Sequence, residues 1–158
     1  MGPGSLYTSV ISNLLVPEIA QAIAAREVPR IYVCNIMTQP GETTGYTVAD
    51  HIESIDRACG QRLFDAVLVQ KNPPSTDCLQ YYAEENSYPV LLDRDDVKQL
   101  GRSIFAVNVM EEDPNNSYLR HNSRRLAKAL IHFYRRAQDS SPHGNGKVTP
   151  LTQAKSAR

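Results

Sequence analysis

The first residues able to do chemistry open the chain, in Met1-Gly2-Pro3-Gly4-Ser5-Leu6-Tyr7-Thr8-Ser9. Gly2 and Gly4 have no side chain, so a ligand can approach their backbone closely. The turn runs into an apolar helix, whose first amides lack internal partners and favour an anion. Ser5, Thr8 and Ser9 add hydroxyl donors, so a phosphate suits this turn. A tight turn with no ligand would have the same composition.

A second group spans Asn35 to Tyr46 and follows the apolar run Ile31 to Met37. Asn35 inside such a run needs hydrogen-bond partners, supplied by the neighbouring loop or by a ligand. Thr38 and Gln39 add polar groups. Glu42 could ligate a metal, act as a base, or be solvated. Gly41 and Gly45 would let the loop fold over a ligand.

The third group is Tyr118-Leu119-Arg120-His121-Asn122-Ser123. Arg120 can clamp a phosphate with paired N–H donors, as lysine cannot, or it can be a surface arginine. His121 could assist as a donor, and Asn122 or Ser123 suits the N-cap of the helix that follows. Arg120 to Ser123 also reads Arg-x-x-Ser, a loose basophilic kinase pattern. A phosphate on Ser123 would lie at a helix start among arginines.

Other constellations are missing from the sequence. Ser5 is in no G-x-S-x-G elbow, and no His–Asp spacing points to a triad. Asp50-His51 is expected on the solvated side of a helix. Asp93, Asp95 and Asp96 read as the acidic start of a helix, and Tyr81-Tyr82 as packing on a helix side.

The elements that must position these groups alternate between helical and strand-like stretches. Leu6–Asn13 and Val16–Arg26 read as helical pieces, with Pro17 at a permitted early position. Ile31–Met37 reads as a buried strand, and Thr47 opens a capping box with Asp50 ahead of a helix striped by Val48, Ile52, Ile55 and Cys59. Asp65–Gln70, Pro89–Asp93 and Ile104–Met110 read as further strands. Thr76–Glu85 reads as a short helix, Glu111–Tyr118 as an acidic loop, and Ser123–Ala137 as the longest helix. From Gln138 the chain is Ser-, Pro- and Gly-rich, and 138–158 is expected to be a disordered tail. The alternation predicts an α/β fold, a parallel sheet with helices on both faces. Ligands in such sheets bind at the carboxyl ends of strands, where all three groups fall.

Bulk properties narrow the class. One domain is expected from 158 residues. Seventeen basic and seventeen acidic residues cancel, so nothing in the overall charge argues for nucleic acid or an anionic membrane. Three cysteines without CxxC spacing argue against a disulfide framework or zinc site and fit a reducing cytoplasm. No run approaches the ~18 apolar residues of a membrane span.

Gly2-Pro3-Gly4-Ser5-Leu6-Tyr7-Thr8-Ser9, Asn13-Leu14-Leu15-Val16-Pro17 and Tyr32-Val33-Cys34-Asn35-Ile36-Met37-Thr38-Gln39-Pro40-Gly41-Glu42-Thr43 resemble the bacterial gluconeogenesis factor family of YvcK type. Arg120-His121-Asn122-Ser123 resembles that family's Arg-His-[Asp/Asn]-[Ser/Thr] element. The likeness covers about Gly2 to Ala137, and the wider superfamily includes the CofD-type phospholactate transferases. It implies a Rossmann-like fold and binding of a uridine-diphosphate sugar, linked to cell shape and wall synthesis. By resemblance, Gly4, Ser5, Asn35, Thr38, Gln39 and Arg120 are ligand contacts. The full expected ligand-binding set adds Gly2, Tyr7, Thr8, Gly41, Glu42 and His121. No metal or cofactor is expected, except magnesium if the protein is catalytic.

Family members are longer and begin with a strand and a Gly-Gly-Thr-Gly loop, so residues 1–137 are expected to form a C-terminal half of the domain. Thr44 stands where an acidic residue is expected, and Ser12 where proline is usual. The first strand is expected to lack its outer partner, and the chain to self-associate or pair with a separate N-terminal half. Three functions remain open: a nucleotide-sugar-binding regulator, a phospholactate transferase, and a non-functional remnant.

Overall fold

The computed structural model describes residues 1–113 and 118–139. A π-helical segment Leu6–Ile11 continues into the α-helical turn Ser12–Leu14, together α1. Then follow α2 (Pro17–Ala24), β1 (Ile31–Val33), α3 (Val48–Cys59), β2 (Ala66–Gln70), α4 (Thr76–Glu84), α5 (Arg94–Gln99) and β3 (Ser103–Val107). The remaining elements are β4 (Met110–Glu112), β5 (Leu119–His121) and α6 (Ser123–Asp139).

β1, β2 and β3 form a parallel sheet in that order, with Tyr32 opposite Val67 and Val67 opposite Ile104. Side chains of a strand alternate between faces, and both faces here are apolar. Tyr32, Cys34, Val67, Val69, Ile104 and Ala106 pack with α1, α2, α3 and α5. Val33, Leu68, Phe105 and Val107 pack with Leu126, Ala129 and Leu130 of α6. The α/β fold with helices on both faces is therefore present. Burial on both faces also explains why the strands read as continuous apolar runs rather than as alternations.

Local chemistry sets the helix starts. Pro17 opens α2, where its missing N–H costs no bond. Thr47 and Asp50 form the expected capping box of α3, and Gly60 ends that helix in the left-handed region. Asp93 reaches across to the Ala49 amide at 3.0 Å, so it braces the start of α3 rather than its own helix. Asp95 and Asp96 lie in the first turn of α5 as expected.

Several expected boundaries shift. Ile31–Met37 is regular strand only to Val33, because the chain beyond Asn35 changes partners. The Ile36 carbonyl accepts from Val90, and Thr38 donates to Tyr88. Pro89–Asp93 is not a sheet strand; Pro89 and Leu91 make isolated bridges to Met37 and Thr47. Ile104–Met110 divides in two, since Gln70 takes up Asn108 and the Val109 amide and turns the chain out of the sheet. Met110–Glu112, expected in a loop, pairs antiparallel with Leu119–His121.

The last helix continues through Gln138 and Asp139, two residues expected in the tail; 140–158, the rest of that expectation, lies outside the described residues. Met1 partly fills the outer edge of β1: its amine donates to the Ile31 carbonyl and its carbonyl accepts from Val33, the pattern of a parallel bridge. Among the described residues, no helix is long and apolar enough to cross a membrane.

Candidate functional site

A cleft of about 520 Å³ opens at the carboxyl end of β1. Three segments meet there: the turn Pro3–Ser5, the stretch Asn35–Pro40 that follows β1, and Tyr118–His121 at β5. Each comes from one of the three groups the sequence singles out. Seven of the twelve expected ligand-binding residues line the cleft: Gly4, Ser5, Asn35, Thr38, Gln39, Arg120 and His121.

The polar groups divide into those already engaged and those left open. Thr38 is buried and fully used. Its amide donates to the Tyr88 carbonyl at 2.7 Å, its hydroxyl accepts from the Tyr88 amide at 3.0 Å, and its carbonyl accepts from Ser87 at 2.6 Å. Asn35 has one long contact, from its amide to Gln39 at 3.4 Å. Arg120 is exposed on β5 opposite Glu111, and it makes no ion pair among the described residues. A guanidinium left in that state keeps its donors for an incoming anion.

His121 is half-buried, and its Nε2 is enclosed without a hydrogen-bond partner among the described residues. Burial lowers its pKa, against a smaller opposite pull from the Cys34 backbone. The ring is thereby biased toward its neutral form. Cys34 itself is buried and its thiol is pushed up to about 12, so it is an inert core residue.

The other five expected residues lie outside the cleft lining, and their placement is specific. Gly2 has φ +77°, and a Cβ there would stand 2.6 Å from the Val33 carbonyl oxygen, so it lets the turn lie against β1. Gly41 also has positive φ and stands in open space. Thr8 caps back onto Ser5, with its amide 3.2 Å and its hydroxyl 2.5 Å from the Ser5 hydroxyl. Tyr7 places its phenol 2.7 Å from that of Tyr46. Glu42 accepts from the Ser5 hydroxyl at 2.5 Å and from the Tyr7 amide at 2.9 Å.

Lining residues outside those three groups are Tyr82, Glu85 and Ser87. Tyr82 was expected only to pack a helix side; its hydroxyl also accepts from the Leu119 amide at 3.0 Å and so ties α4 to β5. Tandem tyrosines carry no signal for that role. The expectation of a solvated Asp50-His51 is corrected. His51 is fully buried, its Nδ1 bonds the Thr47 carbonyl at 2.7 Å, and its ring meets Tyr46 edge-on. α1 also packs against α3.

Asn122 rather than Ser123 caps α6, through Oδ1 to the Arg125 amide at 2.9 Å, and Ser123 is exposed as the first residue of α6. Among the described residues, no group of three His, Cys, Asp or Glu could hold a metal ion.

A parallel sheet covered on both faces, with a polar cleft at the carboxyl end of a strand, defines a protein of the Rossmann-like α/β class. Within that class, residues 1–110 match the family model described as 2-phospho-L-lactate transferase CofD, and the chain belongs to the CofD family. Its similar relatives are gluconeogenesis factors. A putative gluconeogenesis factor of Nostoc sp. is 62% identical over 135 residues, covering 85% of this chain and 29% of that protein. The gluconeogenesis factor of Bacillus subtilis is 34% identical, covering 83% and 41%. A crystal structure of a UPF0052 family protein from Bacillus halodurans superimposes with a TM-score of 0.78 at 42% identity, covering 82% of this chain and 41% of that one. The chain thus spans well under half the length of the relatives it matches.

Proposed function

We propose that this chain is the part of a gluconeogenesis factor that binds a uridine-diphosphate sugar in the cleft beside β1, acting as a regulator in cell-shape and cell-wall control. The observation that carries this reading is Arg120: an exposed guanidinium without an ion pair among the described residues, lining the same cleft as Ser5, Asn35 and Gln39. An arginine fork suits a diphosphate, and carboxamides suit sugar and base hydrogen-bonding edges. The cleft volume, about 520 Å³, falls in the range of small-molecule sites. Titration calorimetry with uridine-diphosphate glucose tests the reading, with uridine monophosphate and free glucose as controls. Saturable binding of the sugar nucleotide alone is expected. Heats no larger than those of the controls would remove the reading.

A second reading is transfer of a phosphorylated hydroxy acid to an acceptor with release of a nucleotide, and the description of the matching family model favours it. Such chemistry must stabilise charge on the transferring phosphoryl group. Thr44, standing where an acidic residue is expected, instead uses its hydroxyl to accept from Gly41 at 3.1 Å. Binding without turnover is therefore the preferred reading. Nucleotide release measured in the presence of magnesium separates the two.

A further inference from the structure

We infer that Glu42 is a built-in competitor for the cleft, its carboxylate holding the Ser5 hydroxyl that a phosphate-bearing ligand would use. This inference rests on the nucleotide-sugar reading above and concerns the regulation of that same site.

The geometry is specific. One oxygen of Glu42 accepts both the Ser5 hydroxyl at 2.5 Å and the Tyr7 amide at 2.9 Å. Ser5 lines the cleft, whereas Glu42 lies outside the lining. A carboxylate and a phosphate are both anionic acceptors and would satisfy these donors in the same way. They cannot occupy them together. Glu42 forms no ion pair among the described residues, so its charge is left to repel an entering anion.

The turn that carries Glu42 shows which part moves. Thr43 and Glu42 both donate to the Gln39 carbonyl, at 2.9 and 3.1 Å, and the Gln39 amide donates to the Thr43 hydroxyl at 2.9 Å. Thr43 is fully buried. The backbone is therefore pinned, and the latch opens by rotation of the Glu42 side chain between staggered rotamers.

A ligand contact and a latch respond oppositely to substitution. The test measures affinity for uridine-diphosphate glucose in the wild type, Glu42→Gln and Glu42→Ala, together with the thermal midpoint of each free protein. The latch predicts roughly three- to tenfold tighter binding in both variants, the scale of one ordinary hydrogen bond weakened or lost. It also predicts a lower midpoint for free Glu42→Ala, which loses two hydrogen bonds. Affinity and stability then move in opposite directions, which a merely structural residue would not produce.

Glu42→Gln keeps an acceptor on both donors and guards against a variant that fails to fold. Binding seen only in the variants would also support the latch. Wild-type binding that is unchanged or weakened in both variants would overturn it and leave the nucleotide-sugar reading standing. No binding by any of the three would overturn that reading and the latch with it.

Discussion

The Thr38 amide donates to the Tyr88 carbonyl, and the Tyr88 amide donates back to the Thr38 hydroxyl, at 2.7 and 3.0 Å. This reciprocal pair fastens the segment after β1 to the segment after α4 and so fixes the floor of the cleft. Thr38→Val keeps the shape but leaves the Tyr88 amide without its acceptor. The expected loss of stability is ~1–2 kcal/mol. Urea unfolding measures it, and an unchanged midpoint would show that the pair is dispensable.

Arg120 is expected to behave differently, because its side chain is exposed and makes no ion pair among the described residues. Arg120→Ala should weaken sugar-nucleotide binding by ~1.5–3 kcal/mol, the scale of a charge-assisted contact. Its unfolding midpoint should match the wild type. Arg120→Lys should recover only part of the affinity, since lysine cannot form the two-pronged contact. Equal affinity in Arg120→Ala would take the residue out of the site.

Gly2 is a backbone requirement. Its φ of +77° and the 2.6 Å approach of a Cβ to the Val33 oxygen leave no room for a side chain. Gly2→Ala should cost ~1–3 kcal/mol through strain. It should also displace the Pro3–Ser5 wall of the cleft, so binding and stability fall together. Retained affinity in a destabilised variant would separate this turn from the site.

A buried and a half-buried histidine give the protein an acid-sensitive window. His51 and His121 both have lowered pKa values, chiefly from burial, and each has an enclosed Nε2 without a hydrogen-bond partner among the described residues. Their folded-state values lie below the ordinary 6.5, so between the two the unfolded chain binds more protons. Stability is complete above the ordinary value and falls as pH drops through 6.5 toward the depressed values. Denaturant unfolding at pH 7.5 and 5.5 measures the loss. Replacing His51 by leucine should shrink that difference, whatever it does to the absolute stability.

Ser123 is exposed at the first position of α6, with Arg124 and Arg125 beside it in sequence. An added negative charge there should stabilise the helix start, by ~0.3–1 kcal/mol for Ser123→Glu. Intact-mass analysis of protein from its own cells tests whether the position is phosphorylated. Absence of a phosphorylated fraction under every growth condition would count against regulation at Ser123.

The sequence made the fold class and the three cleft segments legible because each rests on a local rule. Unbroken apolar runs mark strands covered on both faces, and Thr47 with Asp50 marks a helix start. Polar residues directly after an apolar run, as at Asn35 and Gln39, mark a strand's carboxyl end. What was not legible depends on partners distant in sequence. Nothing local shows that the chain leaves the sheet after Cys34, since the cause is pairing with Tyr88 and Val90. His51 reads as solvated because the helical stripe of α3 accounts for only one buried side, while Tyr46, from the loop before the helix, meets the His51 ring. Tyr82 and Ser87 enter the cleft only because β5 and the segment after β1 fold back onto them.

The central claim is that the cleft, with Arg120 at its rim, binds a uridine-diphosphate sugar. Thermal unfolding of the wild type and Arg120→Ala, each with and without that ligand and with uridine monophosphate as control, tests it most directly. A ligand that binds only the folded state raises the midpoint by mass action. A rise is expected for the wild type with the sugar nucleotide, little or none with the monophosphate, and a much smaller rise for Arg120→Ala. Cooperative unfolding of the wild type at the same temperature with and without the sugar nucleotide would contradict it.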